Sequence, residues 1–282
     1  MKDCPTCENN GQKNLCKDCD GGDLYKAANG TASLMHVEVE AAKLHELNAL
    51  LSSLTDKVRL DAGEHGWVIK AVDPAHVAMV SVEIDPGAFT KYESEEVSIL
   101  LDLERFKTML GHIGKRGTVH LDLLNSVLHV RSGFLNWKMR LGDPDEQIIK
   151  VPNIINEHVA TVPRDELIKV AKVTDSLADT VALHLQDDVL LFKAKGATDD
   201  AEVRVPVDGC KGKARVIMPA DYFGNCVRVL PQEQVGLSME TDRPLVVMIN
   251  GWSGALTGRY LMAPRIESDE PDEAAEKEGG ES

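Results

Sequence analysis

Residues 44–71 read LHELNALLSSLTDKVRLDAGEHGWVIKA, and 123 positions later residues 167–194 read LIKVAKVTDSLADTVALHLQDDVLLFKA. The shift aligns Leu44 with Leu167, Leu47 with Val170, Leu54 with Leu177, Asp56 with Asp179, Val58 with Val181, Leu60 with Leu183, Lys70 with Lys193 and Ala71 with Ala194. In the first copy the apolar residues Leu44, Leu47, Leu51 and Leu54 fall at helical spacing. They then alternate through Val58 and Leu60 and, after a turn at Gly63 to Gly66, through Trp67 and Ile69. A period near 3.6 turns one stripe of a helix to the core, and a period of two turns one face of a strand there. The unit therefore predicts helix, strand, turn, strand, used twice.

A second duplication lies between and after these copies. Residues 99–115 return to helical spacing through Leu103, Phe106, Leu110 and Ile113, and Val119, Leu121 and Leu123 then alternate into a hairpin with Val127 and Val130. A shift of 116 pairs Phe106 with Tyr222, Leu110 with Cys226, Ile113 with Val229, Val119 with Val235, Leu121 with Leu237 and Leu123 with Met239. Repeats of this length in 282 residues predict two similar domains, each with two helices on β-structure, an α+β class. The boundaries expected are a leader and linker at 1–33, domains at 34–140 and 158–267, a connector at 141–157 and an acidic tail at 268–282. The connector, LGDPDEQIIKVPNIINE, carries two prolines, acids and an apolar cluster, the mark of an exposed crossing segment.

Aromatics make up 4% of the chain, so the core should be aliphatic. No apolar run approaches a membrane span, and Met1-Lys2-Asp3-Cys4 opens no signal peptide, which predicts a cytoplasmic protein. The formal charge of −15 counts against nucleic acid only if it is spread evenly. Residues 267–282 alone hold eight acids against one lysine.

Cys4-Pro-Thr-Cys7 and Cys16-Lys-Asp-Cys19 form two C-x2-C turns separated by eight residues. Four thiolates so spaced can close tetrahedrally on one Zn2+, and a leader of this size needs such a staple. Two disulfides and a metal-free leader are the other readings; the spacing favours a zinc knuckle, whose role is structural or, as the other reading, partner-binding. Catalytic signatures fail by position. His45-Glu46 begins an H-E-x-x-H, but Ala49 stands where the second histidine belongs, and Gly111 to Thr118 breaks the P-loop spacing. No G-x-S-x-G is present, and Cys210 and Cys226 sit in apolar or turn contexts. Lys169 and Lys172, three apart, share a helix face away from Leu167, Val170 and Leu177, while Arg105, Lys107, Lys115 and Arg116 surround the second helix and Arg228 lies on the fourth.

Two stretches carry a resemblance. AVDPAHVAMV at 71–80 and YLMAPRIE at 260–267, in this order and separated by the doubled unit, resemble the best-marked segments of the sliding clamp family, the proliferating cell nuclear antigen of archaea and eukaryotes. The likeness covers about residues 34–267. It implies a DNA clamp fold closed as a homotrimeric, pseudo-six-fold ring, with helices lining a pore for duplex DNA of any sequence and sheets outside. It implies non-catalytic work: a processivity factor that tethers DNA polymerase and other replication and repair proteins, loaded by a clamp loader, in the nucleoid of a prokaryote or the nucleus of a eukaryote.

The resemblance places Lys169, Lys172 and Arg228 at pore positions. The first two helices depart from the pattern, offering His45, Glu46, Thr108 and Gly111, with Lys43, Lys107, Lys115 or Arg116 as substitutes. It places a pocket for a short partner motif with apolar and aromatic anchors at Val72, His76 and Met79, and at connector residues Ile149, Val151 and Pro152. Pro244, Leu261, Ala263, Pro264 and Ile266 complete that pocket, with Leu261 standing where a tyrosine is frequent. Subunit pairing would set Phe134 to Leu141 of one chain against Ala201 to Val207 of the next. A repair, checkpoint or viral clamp variant assembling with a different subunit is the second expectation, and a zinc-ribbon accessory or catalytic protein unrelated to clamps is the third.

Overall fold

The computed structural model describes residues 33–207, 210 and 212–265. The chain divides into two compact units. One takes the described residues of Met1–Asn153 with Val229–Gln232 and Met248–Tyr260, and the other takes Ile154–Arg228, Glu233–Val247 and the described residues from Leu261 onward.

In the first unit the chain runs β1 (Met35–Glu40), α1 (Ala41–Ser52), β2 (Lys57–Gly63), β3 (Gly66–Val72), β4 (Ala78–Ile84), β5 (Lys91–Ser94), β6 (Val97–Asp102), α2 (Leu103–Ile113), β7 (Thr118–Leu124), β8 (Val127–Ser132) and β9 (Leu135–Arg140). It continues with β10 (His158–Pro163), α3 (Arg164–Leu177), β11 (Thr180–Gln186), β12 (Val189–Lys195), β13 (Asp200–Pro206), β14 (Lys213–Pro219), α4 (Ala220–Val229), β15 (Gln234–Met239), β16 (Leu245–Gly251) and β17 (Leu256–Met262). The shift of 123 residues carries β2 onto β11 and β3 onto β12 end to end, and it carries the cross-strand pair Leu60↔Ile69 onto Leu183↔Phe192. Sheet order repeats as well. The run β4-β3-β2-β6 corresponds to β13-β12-β11-β14, and β1-β7-β8-β9 corresponds to β10-β15-β16-β17, with β5 added beside β1 in the first unit only.

Each helix buries its apolar stripe. Leu44, Leu47 and Leu51 of α1 and Leu103, Phe106, Met109 and Leu110 of α2 are buried, as are Leu167, Val170 and Ala171 of α3. Asp102 caps α2 by accepting from the Arg105 N–H, which supplies a partner for one of the free donors at the helix start. The β2–β3 turn needs glycine at position 66, where φ is +107° and a Cβ would lie 2.0 Å from the Ile84 carbonyl oxygen. The Tyr92 hydroxyl of β5 donates to the Gly63 and Gly66 carbonyls at 2.7 and 2.8 Å, tying that hairpin down.

Two expectations are corrected. Residues 99–102 extend strand β6 instead of opening the second helix. They pair with β2 as Leu60↔Ile99 and Lys57↔Asp102, so the helix starts at Leu103 and ends at Ile113. The apolar run Ile99-Leu100-Leu101 is a strand buried by its sheet, a pattern that periodicity alone does not separate from a helix. The second duplication is also displaced by one residue in its helix. Buried Phe106 matches Phe223, fully buried, whereas Tyr222 is half-exposed, because α4 is ten residues long against eleven for α2. The strands after the helices keep the shift of 116, with Val119, Leu121 and Leu123 matching Val235, Leu237 and Met239, all buried.

Candidate nucleic-acid and partner interfaces

The helices show how many of the expected pore cations remain available. On α1, Lys43 is turned back into its own unit: its Nζ donates to the Ala88 carbonyl at 2.7 Å, stands 3.6 Å from Glu40 and lies 5.8 Å from the centre of the Trp252 ring. Trp252 in turn donates from Nε1 to Glu46 at 3.0 Å. On α2, Lys107 is exposed and 3.6 Å from Glu104. Lys115 and Arg116 are exposed in the turn that follows.

On α3, Lys169 donates to Glu166 one turn earlier at 2.6 Å, and that hydrogen bond raises the pKa of Lys169. Arg228 of α4 pairs with Asp175 of α3. Lys172 is exposed, and no carboxylate among the described residues forms an ion pair with it. Of the expected cations, Lys43, Lys107, Lys169 and Arg228 each stand near a carboxylate, whereas Lys172, Lys115 and Arg116 form no ion pair among the described residues.

The partner-pocket residues are distributed over several elements. Val72 and Met79 are half-buried and directly opposite each other on β3 and β4. The turn between them is organised by buried Asp73, whose two carboxylate oxygens accept from the Ala75 N–H at 2.9 Å and the Ala78 N–H at 2.6 Å. This geometry presents His76, exposed and at φ +58°, at the tip. Ile149 and Val151 are half-buried and Pro152 is exposed in a segment, 147–157, that takes no helix or strand. In the second unit Pro244 is half-buried and its carbonyl accepts from Asn156 at 3.1 Å, while Ala263 and Pro264 are half-buried. Leu261 is 4% exposed and packs into the unit.

Ile266 lies outside the described residues, as do Cys4, Cys7, Cys16 and Cys19. Among the described residues no group of three or more His, Cys, Asp or Glu side chains is arranged to hold a metal ion. Burial pushes the thiols of Cys210 and Cys226 up, which makes both poor nucleophiles.

Two side chains that sequence reasoning passed over organise the connector. Arg59 holds its start, and Asn156, buried, donates to the Ser238 carbonyl at 2.8 Å near its end. The signals were present, an Arg59-x-Asp61 pair on one strand face and an asparagine closing an apolar loop, but they point to a structural role without naming what is held.

Duplicated helix-and-sheet units in this sheet order define a clamp-type fold. The family profile described as the proliferating cell nuclear antigen N-terminal domain matches residues 35–127. The chain is 31% identical over 247 residues to the DNA polymerase sliding clamp of Methanothrix thermoacetophila, covering 84% of this chain and all of that protein. It is 28% identical to the sliding clamp of Natronomonas pharaonis, covering 84% of this chain and 99% of that one. Among solved structures, PCNA of A. fulgidus bound to the C-terminal region of FEN-1 superposes with a TM-score of 0.78 at 25% identity, covering 83% of this chain and 100% of that one. PCNA of Thermococcus kodakaraensis superposes with a TM-score of 0.76 at 24% identity, covering 82% of this chain and 100% of that one. The chain belongs to the family of DNA polymerase sliding clamps.

Proposed function

We propose that this chain is a homotrimeric sliding clamp that encircles duplex DNA and tethers polymerase and repair proteins to it without catalysis of its own. The observation that supports the ring is an internal strand pairing whose equivalent is not made among the described residues. Strand β17 neighbours β4, and a Cβ at Gly258 would lie 2.3 Å from the Ser81 carbonyl oxygen, so the two backbones meet closely. By the sheet correspondence β17 is the copy of β9 and β4 is the copy of β13. Yet β9 and β13 are both sheet edges, with Phe134 beside β9 fully exposed.

Open edges of this length invite strand addition, and joining β9 of one chain to β13 of the next would repeat the β17–β4 join between molecules. Such head-to-tail contacts close into rings when the rotation permits. Light scattering behind size exclusion tests this reading. The expected mass is about three times 30.8 kDa at micromolar concentration. A strict monomer would refute the homotrimer, and assembly only with a related chain would favour the hetero-oligomeric variant.

The acidic chain is compatible with DNA because a closed ring keeps its duplex topologically and needs only a few inward cations, while tight binding would hinder sliding. The partner peptide is expected along Val72, His76, Met79 and the connector, where a few apolar and aromatic anchors supply most of the binding energy. That A. fulgidus PCNA was solved with the C-terminal region of FEN-1 supports this kind of partner. The four cysteines of the leader are proposed to hold one structural Zn2+.

A further inference from the structure

Residues 141–146 are fastened to the edge of the sheet that ends in β6. Gly142 forms an isolated antiparallel bridge with Leu100, its N–H donating to the Leu100 carbonyl at 3.3 Å, and a Cβ at position 142 would lie 2.8 Å from Leu100 Cδ2. Asp143 then caps a single 3-10 turn, Pro144–Glu146, by accepting from the Asp145 N–H at 3.0 Å. Arg59 of β2 reaches across β6 to that turn. Its Nη1 donates to the Pro144 carbonyl at 3.3 Å and to the Asp145 carboxylate at 3.4 Å, its Nη2 to the Ser98 hydroxyl at 2.9 Å, and its Nε to Asp61 at 2.8 Å.

Ser98 donates to the same Asp61 oxygen at 2.5 Å, so Asp61 and Ser98 fix the plane of the guanidinium and leave one edge of it for the connector. Asp61 also raises the Arg59 pKa, chiefly by accepting the hydrogen bond from Arg59 Nε. Arg59 is 23% exposed and its bonds to Asp61, Ser98 and the Pro144 carbonyl are partly buried, whereas the Asp145 carboxylate is 80% exposed, so the Pro144 carbonyl is the better-shielded of its two contacts with the turn. Beyond the turn the chain takes no helix or strand until β10, and Ile148 and Ile155 stand 71% and 74% exposed. At its far end the Ile155 carbonyl accepts from Arg243 at 3.2 Å, and Asn156 donates to the Ser238 and Pro244 carbonyls. The connector is thus a span clasped at each end, with exposed apolar side chains near both.

We propose that Arg59 is a positioning residue for partner binding: by clasping Pro144 and Asp145 to the β2–β6 face it pre-sets the connector against which a partner's apolar motif docks. The proposal rests on the reading of the connector as the rim of the partner pocket. A span already held at its base loses less conformational freedom when a peptide packs under it, so the clasp raises affinity without touching the peptide. A planar fork is required, because four acceptors in different directions must be met at once. Lysine offers a point charge that cannot bridge Asp61, Ser98 and the turn together.

The test uses the full-length protein, the variants R59Q and R59K, and K91Q as a surface control. Two quantities are measured: hydrogen exchange of peptides covering 142–147, and the Kd of a synthetic peptide from the FEN-1 C-terminal region. Expected are exchange about tenfold faster at 142–147 in R59Q and R59K, with β7 and β8 unchanged, and a peptide Kd weakened about fivefold in both, while K91Q matches wild type. Unchanged exchange in R59Q overturns the clasp. Faster exchange with unchanged Kd overturns its role in binding and leaves the pocket reading standing. Failure of the wild-type protein to bind the peptide overturns the pocket reading and this proposal with it. Full activity of R59K in both measurements would show that charge alone suffices and would refute the fork.

Discussion

At the scale of single residues, the availability of a cation matters more than its presence. Lys169 and Lys172 look equivalent in sequence, both on the polar face of α3, but Lys169 is engaged by Glu166 at 2.6 Å and Lys172 is not. An exposed pair of this kind adds little to stability. It does set a competition that a phosphate must win. The Lys172→Ala variant should therefore lower the slope of log affinity against log salt for a short duplex by about one unit, and Lys169→Ala should lower it by clearly less. Fluorescence anisotropy at low ionic strength checks this, and equal slopes for both variants would show that Glu166 yields its lysine without cost. Such pairings were not legible in the sequence, because Glu166, Lys169, Lys172 and Asp175 permit several pairings and only side-chain placement chooses among them.

At the scale of elements, the duplication makes a stability prediction. Leu44 and Leu167 occupy the same place in α1 and α3, and each is fully buried. Truncating either to alanine removes three buried carbon atoms' contacts and leaves a cavity, so Leu44→Ala and Leu167→Ala should each cost about 2–5 kcal/mol. Urea unfolding of the two variants measures it; a near-neutral effect at one site would mean that the second copy no longer depends on the stripe that defines the first.

The helix-strand-turn-strand unit was readable because its two periods are unambiguous and its turn is marked by glycines. Strand β6 was not, since Ile99-Leu100-Leu101 is apolar on both faces and only Asp102, the helix cap, separates it from Leu103. The one-residue slip in α4 was hidden for a related reason, because Tyr222 and Phe223 are chemically interchangeable in a pattern and only burial separates them. The connector's exposure was evident from its prolines and acids. Its two clasps were not, because Arg59 and Asn156 act across 85 and 82 residues of sequence.

At the scale of the whole molecule, the leader and the ring make separate predictions. The thiolates of Cys4, Cys7, Cys16 and Cys19 should bring about one zinc per chain, measured by metal analysis of reduced, anaerobically purified protein. No bound zinc would remove the knuckle and leave the clamp body unaffected. The ring carries the central claim of the proposed function: a chain of net charge −15 is expected to stay on DNA by enclosing it rather than by tight contact. The direct measurement loads the protein with a clamp loader onto a nicked circular plasmid at moderate salt, isolates the complex, and follows retention after a single cut linearises the DNA. Retention on the circle and release from the linear form, with release blocked by bulky ends, is the result expected. Equal retention on both forms would show that contact rather than enclosure holds the DNA, and would contradict the account.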